Sequence, residues 1–266
     1  MERTLRMQRL RPSVGGQAGA VLVVGLAVAF AVALAGFFAT PAAGAGGRIQ
    51  YAALGDSIAV GYGATNHYGY VDRFRDFLAT KYRTVDLTNG AIPGLNSSGL
   101  LLQLTFDETT RNAVRRAEVV TVSIGGNNLL PCASDNYTTL NTTCGQIGVY
   151  VFQQDWPRIL FQIRRSIGSR ARLFAMTVYD PYRGDDPNYA TAEGFIQAVN
   201  GSIRDGGLTA TYGYQVADAY GAFQGKLPDG TWKVCTYTHF CEATRDPHPT
   251  DAGHAEIARL HELLYG

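Results

Sequence analysis

Beyond residue 45 the chain alternates short, nearly continuous apolar runs with stretches in which apolar residues recur every three or four positions. The runs at 49–54, 84–88, 118–124, 172–178 and 214–218 have the length of strands, and 118–124 is rich in β-branched residues. Between them, 70–78 places Tyr70, Phe74, Phe77 and Leu78 on one side of a helix. Another helix starts at Ser97-Ser98 and is apolar from Leu100 to Leu104. A long amphipathic pattern covers 147–167, with Pro157 either kinking it or starting its second half. Further helices fit 190–203 and 250–264, and the stretch 221–245 reads as a loop rich in glycine, proline and aromatics. Strands alternating with helices predict an α/β fold, a mostly parallel five-stranded sheet covered on both faces. No linker or repeat interrupts 46–266, which is therefore expected to be one domain.

The first strand is the most informative stretch. Its apolar run stops at Gly55-Asp56-Ser57, so a glycine permits a sharp turn and a serine lies at the carboxyl end of a strand, where open α/β sheets place their sites. The plainer reading is that Asp56-Ser57 caps the following helix. The strands at 84–88 and 118–124 also run into glycine-containing loops, Asn89-Gly90-Ala91-Ile92-Pro93-Gly94 and Gly125-Gly126-Asn127-Asn128. A serine nucleophile requires a base at the same sheet edge. Of five histidines, His261 reads as a solvated helix residue, His254 as structural, and His67 and His239 as loop residues, with His67 close enough in sequence to line a pocket. His248 differs, because Pro247 and Pro249 stiffen the segment that holds it ahead of the last helix.

The amino terminus adds a location. Arg3, Arg6, Arg9 and Arg11 precede an uncharged run at about 14–38 that ends in small residues, so 1–45 reads as a secretory signal peptide cleaved near Ala43-Gly44-Ala45. The run is also long enough for an uncleaved membrane anchor facing its domain outward, the one circumstance in which a membrane is a partner. Export gives the four cysteines a meaning: Cys132 with Cys144 and Cys235 with Cys241 is the local arrangement among three possible pairings. The segment they bracket at 132–144 is polar and reads as a surface excursion. Cysteine spacing does not suit zinc, and neither a metal nor a cofactor is expected. A formal net charge of +1, with scattered arginines, gives no footprint for nucleic acid. A monomer is expected.

Gly55-Asp56-Ser57, Gly94, Gly125-Gly126-Asn127 and His248-Pro249 occur in the order and context of the four blocks of the SGNH hydrolases, the GDSL esterase/lipase family, which this chain resembles over 46–266. The resemblance implies a three-layer α/β/α, flavodoxin-like fold and metal-free serine hydrolysis of carboxylic esters. It casts Ser57 as nucleophile, His248 as general base, and Ser57, Gly94 and Asn127 as the oxyanion hole. Two positions depart from the family's pattern. Asn128 stands where the family often has Asp, and Arg245 stands where it often places the third triad member. Asp246, two residues before His248, is the nearest substitute, with the Arg245 carbonyl as its rival. The implied substrate is a small-molecule, lipid or acylated-sugar ester, since Tyr62, Tyr68, Tyr179, Tyr182 and Trp232 suit acyl chains and sugars alike. A polysaccharide O-deacetylase on the same site and a non-catalytic carbohydrate- or lipid-binding module are the competing readings.

Overall fold

The computed structural model describes residues 46–266, and the leader expected at 1–45 lies outside them. In chain order the elements are β1 (Gly46–Gly55), α1 (Ser57–Val60), α2 (Tyr70–Lys81), β2 (Tyr82–Asn89), α3 (Ser97–Phe106), α4 (Glu108–Arg116), β3 (Val119–Ser123), α5 (Gly126–Leu129) and α6 (Thr142–Arg164). They continue with β4 (Arg172–Met176), α7 (Tyr189–Ile203), α8 (Gly206–Tyr212), β5 (Tyr214–Ala217), α9 (Ala219–Phe223), α10 (Lys233–Tyr237) and α11 (Asp251–Tyr265). All five expected strands are present, and every pairing in the sheet is parallel, in the order β2-β1-β3-β4-β5.

Alternation along β1 sorts the layers. Ala52 and Leu54 face a core closed by Leu100 of α3, Val114 of α4, Trp156 and Ile159 of α6 and Val199 of α7. Tyr51 and Ala53 face the opposite core, closed by Phe74 and Leu78 of α2, Phe223 of α9 and Ile257 of α11. The result is the three-layer α/β/α sandwich.

This strand order also creates the site. From β1 the chain steps outward to β2, then crosses back over β1 to β3. The direction of winding therefore reverses between β1 and β3, and the reversal leaves a crevice outside their carboxyl ends. Gly55 and Ser123 are register partners at that edge. Ser57 follows one strand and Asn127 the other.

Several sequence expectations need correction. His261 is fully buried, stacked on Tyr70 at 5.1 Å, with Nδ1–H donating to the Ile257 carbonyl at 2.8 Å. Its place three and four residues after Ala258 and Ile257 puts it on the inward stripe of α11, where its flat ring packs like an aromatic residue. Helix α6 begins at Thr142, inside the cysteine-bracketed stretch, because the Asn141 side chain caps it by accepting from Cys144 N at 3.0 Å. It continues unbroken through Pro157. The stretch 221–245 contains α10 and a 3₁₀ turn at His239–Cys241. Cys132 is bonded to Cys144 and Cys235 to Cys241, which uses all four cysteines.

Candidate active site

The turn after β1 exists because residue 55 is glycine. Its φ is 142°, and a Cβ there would lie 2.2 Å from the Ser123 carbonyl oxygen, so any side chain would drive β1 away from β3. Asp56 then caps α1, its buried carboxyl accepting from Ile58 N at 3.1 Å. Burial pushes that carboxyl up to about 7, against the pull of this backbone bond. The capping reading and the presentation of Ser57 are thus both true of one turn. Ser57, the first residue of α1, is 9% exposed and opens onto the crevice.

His248 reaches the same place from the other end of the chain. Its loop pairs antiparallel with the end of α10 and the residues after it, through Thr250 N to Tyr237 O at 2.9 Å and His239 N to His248 O at 3.1 Å. From the other side Tyr179 Oη donates to the Pro247 carbonyl at 2.7 Å. So braced, His248 places Nε2 2.8 Å from Ser57 Oγ and Nδ1 2.6 Å from Asp246 Oδ1. The same Asp246 oxygen accepts the His248 backbone N–H at 3.0 Å. An ionised carboxylate only accepts, so Nδ1 carries the proton and Nε2 offers its lone pair to the Ser57 hydroxyl. The Arg245 side chain points elsewhere, donating to Asp186 Oδ2 at 2.9 Å, and it lies over the Phe240 ring at 4.5 Å.

The remaining loops close the crevice. Ile92-Pro93-Gly94-Leu95 forms a turn with Leu95 N donating to Ile92 O at 3.1 Å, and Gly94 supplies the φ of 78° that its third position requires. Ile92 N donates to Gly55 O at 3.0 Å, which ties this turn to the end of β1. Asn127 donates from Nδ2 to Leu95 O at 3.0 Å and lines the crevice together with Ser57 and His248. The same nitrogen also makes a long contact of 3.4 Å to Asp56 Oδ2, weak enough for a closer acceptor in the crevice to take over that hydrogen.

Sequence reasoning missed the support beneath this loop. Asn128 is buried, accepts from Ser97 N at 3.0 Å and donates to Ser97 Oγ at 2.8 Å. Ser97 Oγ in turn donates its only proton to Asp155 Oδ2 at 2.9 Å, and Ser98 Oγ donates to the same oxygen at 2.6 Å. Because the Ser97 hydroxyl has no proton left for residue 128, an amide that donates to it suits that position and an ionised aspartate, which only accepts, does not. The departure at Asn128 therefore has a local cause, and it was the one sequence signal that pointed to this network.

The other histidines serve elsewhere. His254 is buried, accepts from Tyr70 N at 3.1 Å and donates from Nε2 to Tyr62 O at 2.8 Å, and burial pushes it down to about 4. His67 is exposed and packs on Tyr62 at 5.1 Å rather than lining the crevice. His239 donates to Gly63 O at 3.0 Å. Of the aromatics expected near substrate, Tyr179 lines the crevice and Tyr62 flanks His248 at 5.4 Å. Tyr182 lines a neighbouring cavity, whereas Tyr68 is bonded to Asp76 and Trp232 lies beneath Lys226. The crevice measures about 650 Å³ with its open mouth, and away from Ser57 its walls are Ile124, Leu129, Leu130, Met176 and Val178.

The chain matches the model of the GDSL-like lipase/acylhydrolase family over residues 53–256. It is 28% identical over 160 residues to the uncharacterized protein YpmR of Bacillus subtilis, and the match spans 59% of that relative's length. It is 26% identical over 189 residues to the spore germination lipase LipC of Bacillus licheniformis, covering 67% of this chain and 83% of that one. The crystal structure of the lipase Lip_vut3 from a goat rumen metagenome superposes with a TM-score of 0.66 at 23% identity, covering 81% of this chain and 96% of the other. That likeness is one of fold.

Proposed function

The chain belongs to the GDSL-like lipase/acylhydrolase family, whose class is carboxylic ester hydrolysis, and from that premise we propose that it is an exported serine esterase acting through an acyl-enzyme on Ser57. The observation that carries this reading is the contact of 2.8 Å between Ser57 Oγ and His248 Nε2, at the reversal point of the sheet, with Asp246 2.6 Å from the other ring nitrogen.

In the first step His248 Nε2 takes the Ser57 proton as Oγ forms its bond to the ester carbonyl carbon. Negative charge then develops on the carbonyl oxygen. The backbone N–H groups of Ser57 and Gly94 receive it together with the Asn127 side-chain amide, whose second hydrogen leaves its long contact with Asp56 Oδ2. The Asp246 carboxylate stabilises the imidazolium, which gives its proton to the departing alkoxide as the C–O bond breaks. Water, deprotonated by His248, attacks the acyl carbon, and Ser57 leaves with the proton returned. Export is supported by the arginine-led apolar run at 14–38 and by two short-loop disulfides, bonds that persist in oxidising compartments.

The test is Ser57→Ala. Ester hydrolysis is expected to fall to background with an unchanged thermal melt, and a serine-directed organophosphonate should label the wild type alone. Full activity in the alanine variant overturns the reading. Amino-terminal sequencing of protein recovered from the culture medium checks the leader, with a start near residue 46 as the expected result.

A further inference from the structure

A second cavity of about 460 Å³, its open mouth included, lies beside the crevice and shares four of its lining residues, Leu129, Leu130, Pro181 and Ile196. Its far wall is the segment expected from sequence to be a polar surface excursion. That segment folds as a small hairpin, bridged between Ala133 and Leu140, with Ser134 N donating to Thr139 O at 3.0 Å and the Cys132–Cys144 bond closing its base. Asp135, Asn136, Thr138 and Thr139 are exposed, whereas Leu140, Cys132 and Tyr137 line the cavity.

The wall is held in place. Tyr137 adopts a φ of 56°, a conformation an aromatic residue keeps only where its surroundings enforce it. Tyr182 Oη donates to the Tyr137 carbonyl at 3.0 Å, Asn188 Nδ2 donates to the Thr138 carbonyl at 2.9 Å, and the Tyr137 ring meets Phe240 edge-on at 5.4 Å. The same bonds use up the polar groups of the lining: the Tyr182 hydroxyl is spent on the hairpin and Asn141 on the cap of α6. What faces the cavity is hydrocarbon. A sugar hydroxyl would be stripped of water there with no partner, and an alkyl chain would gain.

We propose that the acyl chain of the ester runs from Ser57 past the four shared residues into the chamber under the 132–144 hairpin, which makes the enzyme selective for acyl chains of about eight carbons over acetyl groups. The proposal rests on the esterase reading of Ser57 and His248. Ala192 lines the far chamber and not the crevice, so it is the position from which to fill the chamber. Phe195 lines the same chamber and can be removed to enlarge it.

The experiment compares kcat/KM for acetyl, butanoyl, octanoyl and dodecanoyl esters of one alcohol. Each methylene placed in the chamber should raise kcat/KM by up to about fourfold, so with about three to four of its extra methylenes buried there octanoyl should exceed acetyl by about a hundredfold in the wild type. Ala192→Phe should keep the acetyl rate and lower the octanoyl rate by roughly fiftyfold, the loss of about three methylenes. Phe195→Ala should move the optimum towards dodecanoyl, an effect that mere destabilisation does not produce. A wild type that prefers acetyl overturns the proposal and leaves the esterase reading standing, and so do variants that change all four rates in equal proportion. Absence of turnover on every ester overturns both.

Discussion

Under the proposed mechanism, replacing Asp246 by asparagine separates charge from geometry at His248. One carboxylate oxygen, Oδ1, accepts both the His248 ring at 2.6 Å and the His248 backbone amide at 3.0 Å. An asparagine carbonyl can stand in that place and keep both bonds, so the tautomer of His248 survives and the loss is the anion alone. The interaction of unit charges about 4 Å apart is about 4 kcal/mol at an effective dielectric of 20 and about 1 kcal/mol in bulk water. The Asp246 side chain is 41% exposed, which places it between these limits. The expected fall in kcat is therefore about 5- to 1000-fold, centred near 100-fold, with KM little changed. This is less than the roughly ten-thousandfold loss seen where such a substitution also imposes the wrong tautomer. The assay is steady-state kinetics on the preferred ester, with ionic strength varied to show the residual screening. A loss smaller than fivefold refutes a charge role for Asp246, and a loss near ten-thousandfold refutes the claim that the amide preserves the geometry.

Asn128→Asp should destabilise the fold by about 1–3 kcal/mol, because a second carboxylate enters a buried site beside Asp155 and faces the lone pairs of a Ser97 hydroxyl whose proton is already given to Asp155; a denaturant titration measures this, and Asn128→Ala, which leaves Ser97 N without its acceptor but adds no charge, is the control. A third expectation concerns acid. His261 falls from 6.5 to about 4 on folding, so below its unfolded value the unfolded chain binds the extra proton and stability drops as pH falls from about 6.5 to about 4. Asp56 and Asp180, raised to about 7 and about 8 by burial, work in the opposite sense over the same range, so the wild-type profile is partly cancelled. The difference between wild type and His261→Phe isolates the histidine: relative to wild type, the variant should gain stability on acidification, on the order of 1 kcal/mol per pH unit between pH 6 and 4.5, and parallel profiles would contradict it.

The strands and the serine turn were legible in the sequence because each rests on local information. A fully buried strand writes itself as an apolar run, and Gly55 marks a φ that no other residue tolerates beside Ser123. Helix α4 left no comparable trace, since its inward stripe is Thr110, Ala113 and Val114, small residues on an otherwise charged segment. His261 was misread because polarity was taken as exposure, although its spacing from Ile257 already placed it inward. The chamber under the 132–144 hairpin had no signal at all. It exists only where residues 129–140 meet 181–196, and neither segment carries a period that announces the other.

The base and the acid that flanks it are neighbours on one loop, whereas the serine they serve lies 191 residues earlier. Synthesis delivers Ser57 first and His248 almost last, and α11, which directly follows His248, packs against α2 and β5. Activity is thereby a report of completed assembly. Under the proposed mechanism, a chain whose carboxyl-terminal loop has not yet closed onto the sheet carries a serine without its base, so hydrolysis begins only when folding is finished.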